Sequence, residues 1–200
     1  MVNFVYLASQ SPRRRQLLDQ LEIQYELLLP DKEEDTEALE VALINEAPAA
    51  YVKRVTRLKL NAASARLTRR KLQAAPILCA DTTVALGHTI YGKPDDPGDA
   101  ERMLTELAGK THRVLTAVAV QAGFQCFEAL SISRVSVSAM TVAEIRAYVA
   151  TGEPMGKAGA YAIQGKVAMH ITRINGTYSG IMGLPLWETA SILQAAGLQI

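Results

Sequence analysis

Cysteine is scarce in this chain, at two of 200 residues; tryptophan occurs once and histidine three times. Cys79 and Cys126 lie far apart and match no metal-ligand spacing, which leaves no basis for a thiolate zinc site or a disulfide framework. Both sit among apolar residues, the usual setting of buried free thiols, and that usage suits a reducing cytosol. Neither sign of charge prevails: 21 basic side chains stand against 20 acidic ones, for a net charge of +1. The field of the whole molecule therefore selects no polyanionic or membrane partner. No apolar run approaches the length of a bilayer span, and the run at residues 4–8 is strand-sized rather than a signal segment. The expected setting is cytoplasmic.

Several catalytic signatures are absent as well. There is no Gly-x-Gly-x-x-Gly. Gly109-Lys110-Thr111 imitates the end of a P-loop, but Leu104 stands where that pattern needs its first glycine. His88, His112 and His170 form no HExxH pair, and no Gly-x-Ser-x-Gly marks a serine hydrolase. The three histidines read as structural.

With 49% hydrophobic residues the chain can bury a real core, as one domain or two closely joined lobes. Residues 4–7 read as a buried strand. Ser9, Gln10 and Ser11 lead to a helix from Arg13, with Ser11 as N-cap and Pro12 at its first position. Residues 23–29 read as a second strand. Apolar side chains at helical spacing, uninterrupted by glycine or proline, predict a long helix over residues 49–70. Residues 77–80 form a continuous apolar strand, and residues 84–91 a hairpin turning at Gly87. A helix from Gly98 or Asp99 closes at Gly109, and strands follow over residues 114–121 and from Cys126 to Val137. Thr141 and Glu144 make a capping box for a further helix stopped by Gly152. A glycine-rich turn (residues 156–165), a strand over residues 167–174, a turn at Asn175-Gly176 and a last helix after Pro185 complete the chain. The architecture is mixed α/β, with at least three antiparallel connections.

Two groups of residues carry chemistry. Arg13, Arg14 and Arg15 crowd a helix first turn, where cations oppose the helix dipole. An anionic ligand would relieve that conflict, using the free first-turn N–H groups; otherwise the arginines face solvent or pair with acids. Asp81 arrives abruptly after residues 77–80 and is expected at a strand end, where open α/β sheets place ligands. Held there it needs a metal ion, a lysine or a water as partner, or else it caps the next turn. Lys93 sits in a rigid Gly-Lys-Pro turn, while Lys157 and Gln164 flank the glycine-rich turn. Residues 31–46 carry seven acids with Lys32 as their one base, and residues 53–71, including Lys59, carry eight bases and no acid. Such runs are commonly solvated surface.

Five blocks, in order, resemble the Maf-like nucleotide pyrophosphatases along almost the whole chain. They are LASQSPRRRQLL (residues 7–18), ADTTVAL with its following YGKP (80–94), DAERMLTELAGKTHRVLTAVAV (99–120), YVATGEPMGKAGAYAIQG (148–165) and INGTYSGIMGLPLWET (174–189). The resemblance implies a single domain over residues 1–200: an elongated mixed-sheet α/β fold with two lobes around a central cleft, similar to inosine triphosphate pyrophosphatases. It implies cleavage between the α- and β-phosphates of a nucleoside triphosphate, with Mg²⁺ or Mn²⁺. Lys157 and Gln164 look like the branch acting on dTTP and UTP rather than on 7-methyl-GTP. Asp81 corresponds to the family's catalytic acid, and Arg13, Thr82 and Gln164 to positions that separate the branches. Ser9, Arg13, Arg14, Lys59, Thr82, Lys93, Lys157 and Gln164 are the implied substrate contacts. Asp81 and Glu34 are the implied metal ligands, with Glu33 competing for the second place because residues 31–48 look longer than usual. A homodimer is also implied, with a small nucleotide as partner and neither nucleic acid nor membrane. The contrasting classes are a nucleic-acid-binding or regulatory protein using the basic stretch 53–71, and a nucleotide sensor with little turnover.

Overall fold

The computed structural model describes residues 4–32 and 34–200. Strand β1 (Phe4–Leu7) leads through a turn into helix α1 (Pro12–Gln20), and β2 (Gln24–Leu27) returns parallel to β1. A loop containing the 3-10 turn Ala38–Glu40 precedes the long helix α2 (Pro48–Arg69). Then come β3 (Ile77–Leu86), β4 (Thr89–Tyr91), α3 (Pro97–Leu107), β5 (Thr111–Ala122), β6 (Gln125–Val137) and α4 (Val142–Val149). Two further 3-10 turns, β7 (Ile171–Asn175), α5 (Tyr178–Met182) and α6 (Leu186–Ala195) close the chain. The strands form one mixed sheet in the order β2-β1-β3-β5-β6-β7, with β4 added to β3. The β2, β1 and β3 strands run parallel; β5, β6 and β7 follow β3 antiparallel.

The period-2 alternation of strand side chains assigns each residue to a face. On β3 and β5 the odd-numbered Ile77, Cys79, Ala85, Leu115, Ala117 and Ala119 pack with α2 residues such as Val52, Val55, Leu60 and Ala63. Even-numbered residues pack on the opposite face, in two separate cores. Leu78, Ala80, Val118 and Val120 join Leu17 and Leu18 of α1 and Ile192 and Leu193 of α6. Val84 and Val114 join Ala100, Met103, Leu104 and Leu107 of α3 and Ile145, Tyr148 and Val149 of α4. Burying each leucine contributes about 2 kcal/mol. Between these two apolar cores, on the same face, stand Thr82 and Thr116, directly opposite each other across β3 and β5.

The capping box at Thr141 and Glu144 forms as predicted, and Asp96 caps α3 by accepting from Asp99 N–H at 2.8 Å. Other expectations need correction. Asp81 does not end a strand; β3 continues through it to Leu86 because β5 pairs with β3 from Ile77 to Ala85. Residues 166–170 are a 3-10 turn rather than strand. Ile171 is opposite Val137, the last residue of β6, so the residues before it have no strand to pair with. Cys79 is buried, but Cys126 is exposed, at the turn end of the β5–β6 hairpin.

His112 is 1% exposed; its Nε2 lies 2.7 Å from the Tyr161 hydroxyl and its Nδ1 has no partner among the described residues. Burial pushes its pKa down to about 4. Between the ordinary value of 6.5 and that lowered one, the unfolded chain binds a proton that the folded chain refuses. Stability is therefore full above the upper value and falls as acid is added, by on the order of 3 kcal/mol from this residue. Urea denaturation of a His112→Gln variant should show a shallower loss of stability than the parent between about pH 7 and about pH 4.5. Equal slopes would show that this histidine is not the titrating group.

Candidate functional site

The site follows from a gap in strand pairing. Strand β1 pairs with β3 at Ile77 and Leu78, and β4 takes up that same edge from Val84 to Leu86. Between Leu78 and Val84 the edge of β3 carries no strand among the described residues, and a cleft of about 390 Å³ opens there, a size typical of small-ligand pockets. Of the sequence-predicted residues, Ser9, Arg13, Arg14, Lys59, Asp81, Thr82, Lys93, Lys157 and Gln164 all line it. Arg15 does not.

Serine and proline shape the α1 end of the cleft. Ser9 Oγ accepts from Ser11 N–H at 3.2 Å, and Pro12 begins the helix. Ser11 is the N-cap by position, yet its side chain makes no capping bond, so among the described residues no side-chain cap competes for the first-turn amides. Arg14 donates to the Gly183 carbonyl at 2.7 Å, to Ser9 Oγ at 3.0 Å and to Thr82 Oγ1 at 3.4 Å. Arg13 reaches the Met182 carbonyl at 3.4 Å. These carbonyls belong to the last turn of α5, where Gly183 has φ +111 as a left-handed C-cap. The acceptors at that helix end and the cations at the start of α1 thus satisfy one another. Burial lowers the pKa of both arginines, and for Arg14 the charge of Asp81 works against that shift.

The opposite wall is charged. Lys59 Nζ lies 2.5 Å from Asp81 Oδ1 and 2.7 Å from Glu40 Oε1, with the lysine and Asp81 side chains 20% and 10% exposed. Burial opposes the charge on Lys59, but Asp81 and Glu40 together outweigh it and hold its pKa above the ordinary value. Lys93 bonds both Glu40 oxygens, at 3.1 and 2.9 Å. Glu40 is itself anchored by α2, whose Tyr51 hydroxyl donates to its carbonyl at 2.8 Å. Burial works to raise the Glu40 pKa, yet the two lysines hold it below the usual range. Lysine and carboxylate here alternate as Lys93, Glu40, Lys59, Asp81. Among the described residues no three acids, histidines or cysteines gather into a metal cage. Asp81 and Glu40 nevertheless present hard carboxylate oxygens to one point, now taken by an ammonium. That donor set suits an oxygen-seeking divalent ion that completes its shell with waters and phosphate.

The third wall is the glycine-rich turn. A Cβ on Gly159 would meet Val84 at 2.8 Å, and φ of +69 there also favours glycine. Its N–H donates to the Gly92 carbonyl at 2.9 Å, locking this turn to the one carrying Lys93. Lys157 Nζ turns to its own loop, bonding the Glu153 carbonyl, and its pKa is lowered by burial and then by Arg13. Gln164 is exposed at the rim.

Glu34 is not brought to Asp81. Arg66 grips it with Nε at 3.0 Å and Nη2 at 2.5 Å, and Arg69 adds a bond at 2.7 Å. Arg66 and Arg69, opposed only by partial burial, pull its pKa to about 2. Glu33 lies outside the described residues. Glu40 takes the place beside Asp81 that sequence reasoning gave to Glu34. A signal existed: of the seven acids in residues 31–46, Glu40 alone is flanked on both sides by large apolar residues, Leu39 and Val41. The basic run is likewise neutralised from within. Arg54, Arg57, Lys59, Arg66, Arg69 and Arg70, six of its eight bases, are paired with acids of the same chain. No described helix is long and apolar enough to cross a membrane.

The family model for Maf-like proteins matches residues 4–196. A dTTP/UTP pyrophosphatase from Polaromonas sp. is 67% identical over 99% of this chain and 98% of its own length. Proteins of the same name from Albidiferax ferrireducens and Cupriavidus pinatubonensis are 61% and 60% identical, each over 100% of both chains. A crystal structure of a nucleoside-triphosphatase / dITP/XTP pyrophosphatase from Mycobacterium abscessus is similar at a TM-score of 0.38 and 12% identity, over 66% of this chain and 73% of that one. That likeness is too remote to argue from.

The Arg66 side chain is 4% exposed and depends on Glu34 for charge balance. Glu34→Gln should therefore lower stability by about 2 kcal/mol, the scale of a charge-assisted hydrogen bond. Thermal denaturation checks this, and an unchanged Tm would mean that solvent replaces the carboxylate at no cost.

Proposed function

The chain belongs to the Maf-like family, and from that premise we propose that it hydrolyses dTTP and UTP to the nucleoside monophosphate and pyrophosphate. The observation that carries this reading is the Lys59–Asp81 pair at the unpaired edge of β3, within one cleft that also receives the arginine-bearing start of α1. A single domain, with its two apolar cores on either side of that cleft, is part of the same reading.

Arg13, Lys59 and Lys93 bind the triphosphate, helped by the open first turn of α1. On binding, the two lysines exchange Glu40 oxygens for phosphate oxygens. Asp81 orients a water and takes its proton as the oxygen attacks the α-phosphorus. The α–β bridging oxygen leaves with the pyrophosphate, whose growing charge meets the same cations. Asp81 and Glu40, rather than Asp81 and Glu34, would hold a divalent cation. When bound, that cation supplies Lewis-acid neutralisation of the phosphate oxygens. Thr82 and Gln164 hydrogen-bond the pyrimidine, with Lys157 and Ser9 bordering them. The competing nucleic-acid reading is weakened because the basic helix already spends most of its charge on intramolecular pairs.

The test is product analysis with dTTP and UTP in the presence of Mg²⁺ or Mn²⁺. Monophosphate and pyrophosphate are the expected products; orthophosphate release, or binding without turnover, would refute the reading. Asp81→Asn, which leaves Glu40 to pair with Lys59, should still fold and lose about a thousandfold in kcat, the range of a lost general base. Glu40→Gln should lose activity and raise the metal concentration needed for half-maximal rate, whereas Glu34→Gln should leave that concentration unmoved. The reverse pattern would return the metal role to Glu34.

A further inference from the structure

Thr116 lies beneath Thr82 on the neighbouring strand, outside the cleft lining. It is 1% exposed, and its hydroxyl makes two bonds: to the Gly180 carbonyl at 2.7 Å and to Thr82 Oγ1 at 2.9 Å. A threonine hydroxyl has one proton to give and otherwise only accepts. A carbonyl oxygen cannot donate, so the Thr116 proton goes to Gly180. The bond between the two threonines must then run from Thr82 to Thr116. That commits the one proton of Thr82 to the protein interior. Arg14 Nη2, at 3.4 Å, donates to a lone pair of the same Thr82 oxygen. Towards the cleft, Thr82 can offer only a lone pair.

We infer that Thr116 is a positioning residue for base selection: by fixing Thr82 as a hydrogen-bond acceptor it makes the cleft favour a base with a ring N–H donor. Uracil and thymine both present N3–H. Cytosine presents a bare N3 lone pair at that place, which an acceptor repels. This inference rests on the proposed function, because it assumes that Thr82 meets the base edge of a pyrimidine nucleotide. It extends that reading by naming the atom recognised and the buried residue that sets the polarity. It also accounts for indifference to the thymine methyl, which lies away from N3.

Thr116→Val is nearly isosteric and removes the anchor. The Gly180 carbonyl keeps the N–H of Gly183 as a donor at 3.1 Å, so the substitution strands no acceptor. The Thr82 hydroxyl is then free to rotate and to donate to a cytosine N3. The ratio of kcat/KM for UTP to that for CTP should fall about tenfold, a typical effect of one mismatched hydrogen bond. Thr116→Ser, which keeps the hydroxyl, should restore the parental ratio. Thr82→Val should show the lowered ratio as well, and adding Thr116→Val to it should produce no further change, since Thr116 acts through Thr82. Independently of any variant, the parent protein should hydrolyse N3-methyl-UTP at least about tenfold less efficiently than UTP. A folded Thr116→Val protein with good turnover and an unchanged ratio overturns the inference alone, as does efficient use of N3-methyl-UTP by the parent. Failure of the parent to turn over UTP at all overturns the functional reading, and this inference with it.

Discussion

Strand β3 loses one neighbour after Leu78 and gains another at Val84, and the short interval between them is the constraint on which the rest of the molecule depends. A strand interior is ordinarily closed on both edges, because an unmade backbone hydrogen bond is costly when buried. Here β5 closes one edge along nearly the whole strand, so β3 is held rigidly while its other edge stays open. Rigid positioning beside a cleft is what a reaction governed by electrostatics needs. The turn at Gly92, the glycine-rich turn, the start of α1 and the end of α5 all converge on that opening, and they are tied in two pairs, α1 to α5 and Gly159 to Gly92, by bonds to backbone carbonyls.

Charge follows the same logic. The acidic segment and the basic helix are not independent surface features but two halves of one interface: Asp31, Glu34, Glu40 and Glu46 each pair with bases of α2. Most of these pairs are partly exposed and individually contribute little. Lys59 differs because it is largely buried between two carboxylates. Attraction outweighs desolvation there, and replacing one carboxylate contact with a phosphate oxygen changes partners while Lys59 still faces negative charge. Arg66, by contrast, is buried around Glu34 away from that exchange, and its pair serves to fasten residues 31–46 to α2.

Much of this was legible in the sequence. The β3–β4 turn, the capping box at Thr141, the glycine-rich turn and the long helix each rest on local chemistry, and short-range rules find them. Nine of the ten expected site residues share one cleft because the motifs that carry them name residue types at fixed spacing. What escaped was decided at long range. Glu34 and Glu40 are both acids in one run, and the choice between them was made by where Arg66 and Lys59 fall on α2, a partnership no local pattern encodes. The start of β7 at Ile171 was set by where β6 stops. The exposure of Cys126 goes with its place at the turn end of the β5–β6 hairpin. Thr116 looked like one more residue of an apolar strand, and only pairing across to Thr82 gives it meaning.

The alternation of a strand turns adjacency in sequence into separation in space. Asp81 faces α2 and its lysine; Thr82, the next residue, faces Arg14, Thr116 and the end of α5. On the proposed reading, water activation and base selection are therefore carried on opposite faces of one strand, a single residue apart. A substrate that meets both must fold around the open edge of β3, with its triphosphate between Lys59 of α2 and Arg13 of α1 and its base against Thr82. Such an arrangement couples the two tasks mechanically. A base that fails to seat against Thr82 draws the phosphates away from Asp81, because both side chains are fixed to the same short piece of backbone. Selection by the hydroxyl at position 82 would then appear in the rate of the chemical step as well as in the affinity. That follows from strand geometry alone, with no moving part required.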